Sequence, residues 1–154
     1  MTDPSETADG GSPARKPSVL FVCSKNGGKS QLAAALMNQL AAGAVDVHSA
    51  GTLPGSSLNA EAVASLAELG IDIRDEHPKS VTEEVLYAVD AVVVLGTEAK
   101  LAPHGSARFE VWATDEPSLR SIDGMERMRL VRDDIKGRVS ALYAELTTAT
   151  PTRR

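Results

Sequence analysis

The chain has 154 residues, 42% hydrophobic and 24% charged, with a formal net charge of -5. This is ordinary for one globular domain that buries a core without metals or disulfides. The acidic balance excludes a general nucleic-acid binder, which needs a basic surplus against phosphates, and no apolar run is long enough to span a membrane. A single cysteine cannot form an internal disulfide and the N-terminus has no secretory apolar region, so a cytoplasmic protein is expected, as a monomer or weak dimer.

Residues 1–17 mix Gly, Pro, Ser and charge, a composition that cannot bury enough apolar surface to offset ordering entropy; a disordered tail is expected there. A single domain should then occupy 18–148, with a frayed terminus at 149–154. Ser18-Val-Leu-Phe-Val22 is a continuous apolar run rich in β-branched residues, as in a strand buried on both faces. Polar and glycine residues follow through Gly28, and then Leu32, Leu36, Met37 and Leu40 recur at helical spacing over 30–42. Strand, tight glycine loop and helix is the arrangement that aims helix N-terminal amides at an anion.

Residues 45–49 alternate and leave through Ala50-Gly51-Thr52 as a second strand, and 60–69 read as a helix burying Ala62, Val63, Leu66 and Leu69, stopped by Gly70. Residues 88–95 supply a third, central strand, and the alternation over 107–112 a fourth. The final helix, 124–146, carries a stripe of Met128, Val131, Ile135, Val139, Leu142 and Leu146. Arg127, Arg129 and Arg132 flank that stripe and read as its solvated face, paired with Asp133 and Asp134. Alternating strands and helices imply a three-layer α/β/α fold around a four-stranded parallel sheet, with the ligand site at the carboxyl ends of the strands.

Two chemistries compete for the segment Cys23-Ser-Lys-Asn-Gly-Gly-Lys-Ser30. Gly28-Lys29-Ser30 ends like a nucleotide P-loop, but Cys23 stands where the first glycine should be, and the third strand ends in Leu95-Gly96-Thr97 without the aspartate that holds Mg²⁺. In the other reading the loop amides and the helix dipole bind an oxyanion and favour a nucleophilic thiolate at Cys23. Lys29 then supplies a cation at the mouth, Ser30 a hydrogen bond to sulfur, and Asn26 a left-handed brace. Ser24, Lys25, Asn26, Gly27, Gly28, Lys29 and Ser30 together form the oxyanion loop. A lone cysteine is more often a small buried hydrophobe, but not one placed before an anion-binding loop. His48 and His104 are isolated, show no metal-ligand spacing, and are given ordinary structural roles; Trp112 packs at a strand end or walls the pocket.

The loop resembles the signature Cys-x5-Arg-Ser of the low-molecular-weight tyrosine phosphatase superfamily, which includes arsenate reductases of that fold. Ser49-Ala-Gly-Thr52, Asn59-Ala-Glu-Ala-Val63, Leu69-Gly-Ile-Asp-Ile73, the stretch from Trp112 to Pro117 and Met128-Arg-Leu-Val-Arg-Asp-Asp-Ile135 are similar to its later segments in order. Pro78-Lys-Ser-Val-Thr82 resembles the reductase branch more than the phosphatases. The resemblance implies a flavodoxin-like doubly wound fold and Cys23 as nucleophile. Its acid is an aspartate before proline; here Glu116 precedes Pro117 and Asp115 stands one residue earlier. Both are candidates, or else solvated loop carboxylates or an N-cap; Asp115 is preferred because a shorter side chain loses less entropy when positioned.

Two departures carry consequences. Lys29 replaces the arginine, exchanging a planar fork for a point charge, so weak phosphatase activity is expected. The two further cysteines of internally completed reductases are absent, one of them from the neighbourhood of Leu95-Gly96-Thr97. The resemblance therefore implies an arsenate reductase with no tightly bound cofactor, completed by an external thiol such as mycothiol and a redoxin. Phosphate, sulfate or arsenate would be the bound anion. The alternatives are a phosphomonoesterase working through a cysteinyl phosphate, and an oxyanion-binding relative with little turnover.

Overall fold

The structure is a computed structural model, described over residues 16–149; the tail expected over 1–17 and the fraying over 149–154 lie almost wholly outside the described residues. Strands β1 (Ser18–Cys23), β2 (Asp46–Gly51), β3 (Ala91–Leu95) and β4 (Arg108–Trp112) form one sheet in the order β2-β1-β3-β4. All three pairings are parallel, with Cys23 level with Gly51 and Leu95 level with Trp112. From β1 the chain steps to one side for β2 and to the other for β3, so the end of β1 is the topological switch point where such sheets bind ligands. Cys23 is the last residue of β1.

β1 and β3 are buried at every position, which explains their unbroken apolar runs. Val19, Phe21, Val93 and Leu95 point to a core shared with helices α1 (Lys29–Ala41), α2 (Ala60–Ala67) and the long terminal α4 (Gly124–Ala149). All six apolar residues expected along the last helix are in that core. Leu20, Val22, Val92 and Val94 face the other side, where Leu86 and Val89 cover them. Leu86 comes from α3 (Glu83–Ala88), a helix that the periodicity over 88–95 did not reveal. The third strand consequently starts at Ala91, and Ala88 ends a helix instead of opening a strand. Six residues give little more than one turn, too short for a 3.6-residue period to show, although the Thr82 side chain caps it by accepting from Val85 N.

Two further expectations are corrected by packing. Leu40 is 43% exposed: α1 packs against both the sheet and α4, and its buried surface runs through Ala33, Met37 and Ala41. Arg132 is not part of a solvated face but is 8% exposed. Its guanidinium donates to the Ser65 carbonyl and to Glu68, tying α4 to α2, and to Asp133. Arg129 grips the same Glu68 from the surface.

The hydrogen bonds from Arg129 and Arg132 hold Glu68 well below the usual carboxylate range, at about 2 against an ordinary 4.5. A depressed folded-state pKa stabilises at pH values above the unfolded value, and the contribution is lost as pH falls from about 4.5 through about 2. Glu68→Gln should therefore lower the melting temperature at neutral pH, and the gap to wild type should close over that acid range. Thermal scans from pH 7 to pH 2 check it.

Candidate active site

The loop between β1 and α1 is shaped from outside by the segment that follows β2. Thr52 N donates to the Cys23 carbonyl at 3.1 Å, Leu53 N to Ser24 O at 2.8 Å, Gly55 N to Lys25 O at 3.0 Å, and Asn59 N to Gly27 O at 2.8 Å. Four loop carbonyls are thus turned outward and satisfied, which leaves the facing amides to converge on the concave side. Gly28 is the N-cap residue of α1 and provides no side-chain cap, so the helix's first amides are open to an anion. Close approach demands glycine at two places. A Cβ on Gly51 would lie 2.6 Å from Ser24 O and 3.0 Å from Asn26 N, and one on Gly27 would lie 3.0 Å from Ser57 O.

Beneath the loop, Asn26 is fully buried with φ 56°, a conformation its short amide side chain tolerates. Its N–H donates to Cys23 Sγ at 3.2 Å and its Nδ2 to Ser30 Oγ at 2.7 Å. Ser30 Oγ lies 2.9 Å from Cys23 Sγ. That oxygen also accepts from Asn26, so Cys23, Asn26 and Ser30 form one buried hydrogen-bonded cluster around the sulfur. Asn26 Oδ1 accepts from Lys79 N at 2.9 Å, and the buried Gln31 donates to Asn26 O at 3.1 Å. Sequence reasoning missed Gln31 and Gly51 as loop supports; neither carries a pattern signal, since their partners are distant in the chain or lie on the backbone.

Cys23, Ser24, Lys25 and Lys29 line a cavity of about 410 Å³ with Leu95, Gly96, Thr97, Glu98, Glu116, Ser118 and Leu119. None of these is aromatic, and Trp112 packs instead on Phe21, with ring centroids 5.9 Å apart. A larger cavity, about 730 Å³, lies along β2 and is not lined by Cys23. Lys29 Nζ is ion-paired with Glu116, which lines the cavity, whereas Asp115 does not. Arg120 binds both oxygens of Asp115 at 2.9 and 3.2 Å and holds its carboxyl below the ordinary range, keeping it ionised. Neither carboxylate caps the short 3₁₀ turn Pro117–Arg120. The carboxylate in the cavity lining is thus Glu116, whereas the sequence reading preferred Asp115. His48 sits 3.4 Å from Asp46, and His104 bonds the Ala102 carbonyl at 2.7 Å beneath Tyr87.

Over residues 18–151 the chain matches the low molecular weight phosphotyrosine protein phosphatases. It belongs to that family. Within it, the glutaredoxin arsenate reductase of Synechocystis sp. is 33% identical over 132 residues, covering 84% of this chain and 98% of the relative. The arsenate reductase of Halalkalibacterium halodurans is 31% identical, covering 84% and 96%. A solved arsenate reductase in a phosphate-binding state superposes with a TM-score of 0.74 at 30% identity, covering 84% of this chain and 98% of that one. The thioredoxin-dependent arsenate reductase of Corynebacterium glutamicum gives 0.75 at 30%, and this chain spans 66% of its length. Lys29, at the place where the sequence resemblance expects an arginine, reaches Glu116 with its ammonium and has no two-pronged donor to present.

Proposed function

We propose that this enzyme reduces arsenate through Cys23, with electrons from external thiols. The observation that carries the reading is the sulfur itself, 7% exposed, receiving Asn26 N–H and hydrogen-bonded with Ser30 Oγ under a loop whose carbonyls are tied outward. A cavity without an aromatic wall suits a small anion better than an aryl phosphate, and the reductase names of the relatives point the same way.

In the first step the Cys23 thiolate attacks arsenic and an As–O bond breaks, the departing oxygen keeping the proton of hydrogen arsenate with the Glu116 carboxylate beside it in the cavity lining. Cys23 is the only cysteine in the chain, so it has no internal partner to accept the next step. A small thiol, mycothiol or a relative of it, takes the arsenic from sulfur and frees the thiolate. A second thiol, from a redoxin, then attacks the sulfur of that adduct. A disulfide forms, two electrons pass to arsenic, and arsenite leaves.

Arsenate loss should require both a low-molecular-weight thiol and a redoxin, measured beside p-nitrophenyl phosphate hydrolysis on one preparation. Efficient ester hydrolysis without arsenate reduction would instead make the chain a phosphatase, and tight phosphate binding with neither activity would make it a binding protein. Lys29→Arg should raise ester hydrolysis by about tenfold, because a bidentate donor grips two equatorial oxygens. An unchanged rate would show that lysine is not what limits phosphoryl transfer.

A further inference from the structure

We propose that Glu116 selects the bound oxyanion by its proton, so that the pocket takes hydrogen arsenate or hydrogen phosphate and discriminates against sulfate. The proposal deepens the reading above by naming the anion class that the same site accepts.

The contact between Lys29 and Glu116 is its starting point. Lys29 is the first residue of α1 and lines the cavity with Cys23 and Glu116. Its ammonium lies beside Gly96, where an added Cβ would come within 3.2 Å of Nζ, and it is paired with Glu116. An anion seated in the loop and held by Lys29 must share that ammonium with the Glu116 carboxylate. Asp115 offers no relief, because it is engaged with Arg120. Nor does net charge decide the outcome, since Lys25 and Lys29 are matched in the lining by Glu98 and Glu116.

Two anionic oxygens brought onto one cation repel each other unless one carries hydrogen. Arsenate and phosphate retain a proton near neutral pH, and their hydroxyl can donate a charge-assisted hydrogen bond to Glu116. Sulfate has no proton to give and must bind against the carboxylate or push it off Lys29. A site that accepts a hydrogen bond from its ligand rejects the analogue lacking the donor. The proton shared between anion and Glu116 is also the one the departing oxygen needs.

Calorimetric titration of the full chain with phosphate and with sulfate, at pH 7 and matched ionic strength, tests this. Wild type should bind phosphate at least about tenfold more tightly than sulfate. Glu116→Gln should bring the two within about threefold, mainly by tightening sulfate, and Glu116→Asp should keep part of the preference. Protection of Cys23 from iodoacetamide by each anion gives an independent reading, and thermal unfolding confirms that each variant is folded. A wild-type preference below about tenfold, or a ratio that Glu116→Gln leaves unchanged, overturns the proposal. Neither anion is reduced, so a failure of arsenate reduction would be recorded separately.

Discussion

Cys23→Ser should lose arsenate reduction by at least about 10⁴-fold while still binding phosphate, because removing a covalent nucleophile costs rates of that order. The substitution is nearly isosteric, and the new hydroxyl can still accept from Asn26 N–H and pair with Ser30, so the loop keeps its shape. What disappears is the sulfur nucleophile that the proposed first step needs; a serine hydroxyl is far less acidic than a thiol and a much weaker nucleophile. Thiol oxidation driven by arsenate reads the loss, and phosphate calorimetry reads the retained binding. Residual turnover above about 1% of wild type would mean that the chemistry does not pass through this sulfur.

Gly51→Ala should give the second largest effect, although residue 51 touches no substrate. Gly51 pairs with Cys23 across the sheet, and its N–H and C=O bond Lys79 O and Val81 N on the outer side. Both edges of its backbone are therefore fixed, and an added methyl would press on Ser24 O at 2.6 Å and Asn26 N at 3.0 Å. The loop must give way, carrying with it the Asn26 N–H that serves sulfur. A displacement near 1 Å at such a site costs about 100-fold in rate, and the overpacking costs about 1–3 kcal/mol of stability. Activity should fall much further than that stability loss explains, with kcat more affected than the melting temperature. A variant of unchanged kcat would show that the loop position tolerates the shift.

The parts legible in the sequence share one property: they depend on local pattern. The apolar runs of β1 and β3 and the stripe of α4 each repeat often enough to be read, and the glycines and polar residues of 24–28 marked the turn from the first strand into the first helix. Where the pattern was too short or the partner too distant, the reading failed. The single turn of α3 has no period to count. Arg132 looked like a surface cation because only the docking of α2 onto α4 buries it against Ser65 and Glu68.

The choice between neighbouring carboxylates shows the same division. On the chain, Asp115 and Glu116 differ by one methylene; in the fold, the turn at Pro117 sends one to Arg120 and the other to Lys29. The sequence by itself determined the order of the four strands, the place of the lone cysteine at the end of the first of them and the absence of a second cysteine, since these follow from residue type and spacing along the backbone. Only the tertiary structure decided which carboxylate meets the ammonium, what turns the loop carbonyls outward and which glycine must stay bare. Those outcomes depend on side-chain direction and on contacts between segments brought together when the sheet closes, and residue spacing along the chain encodes neither.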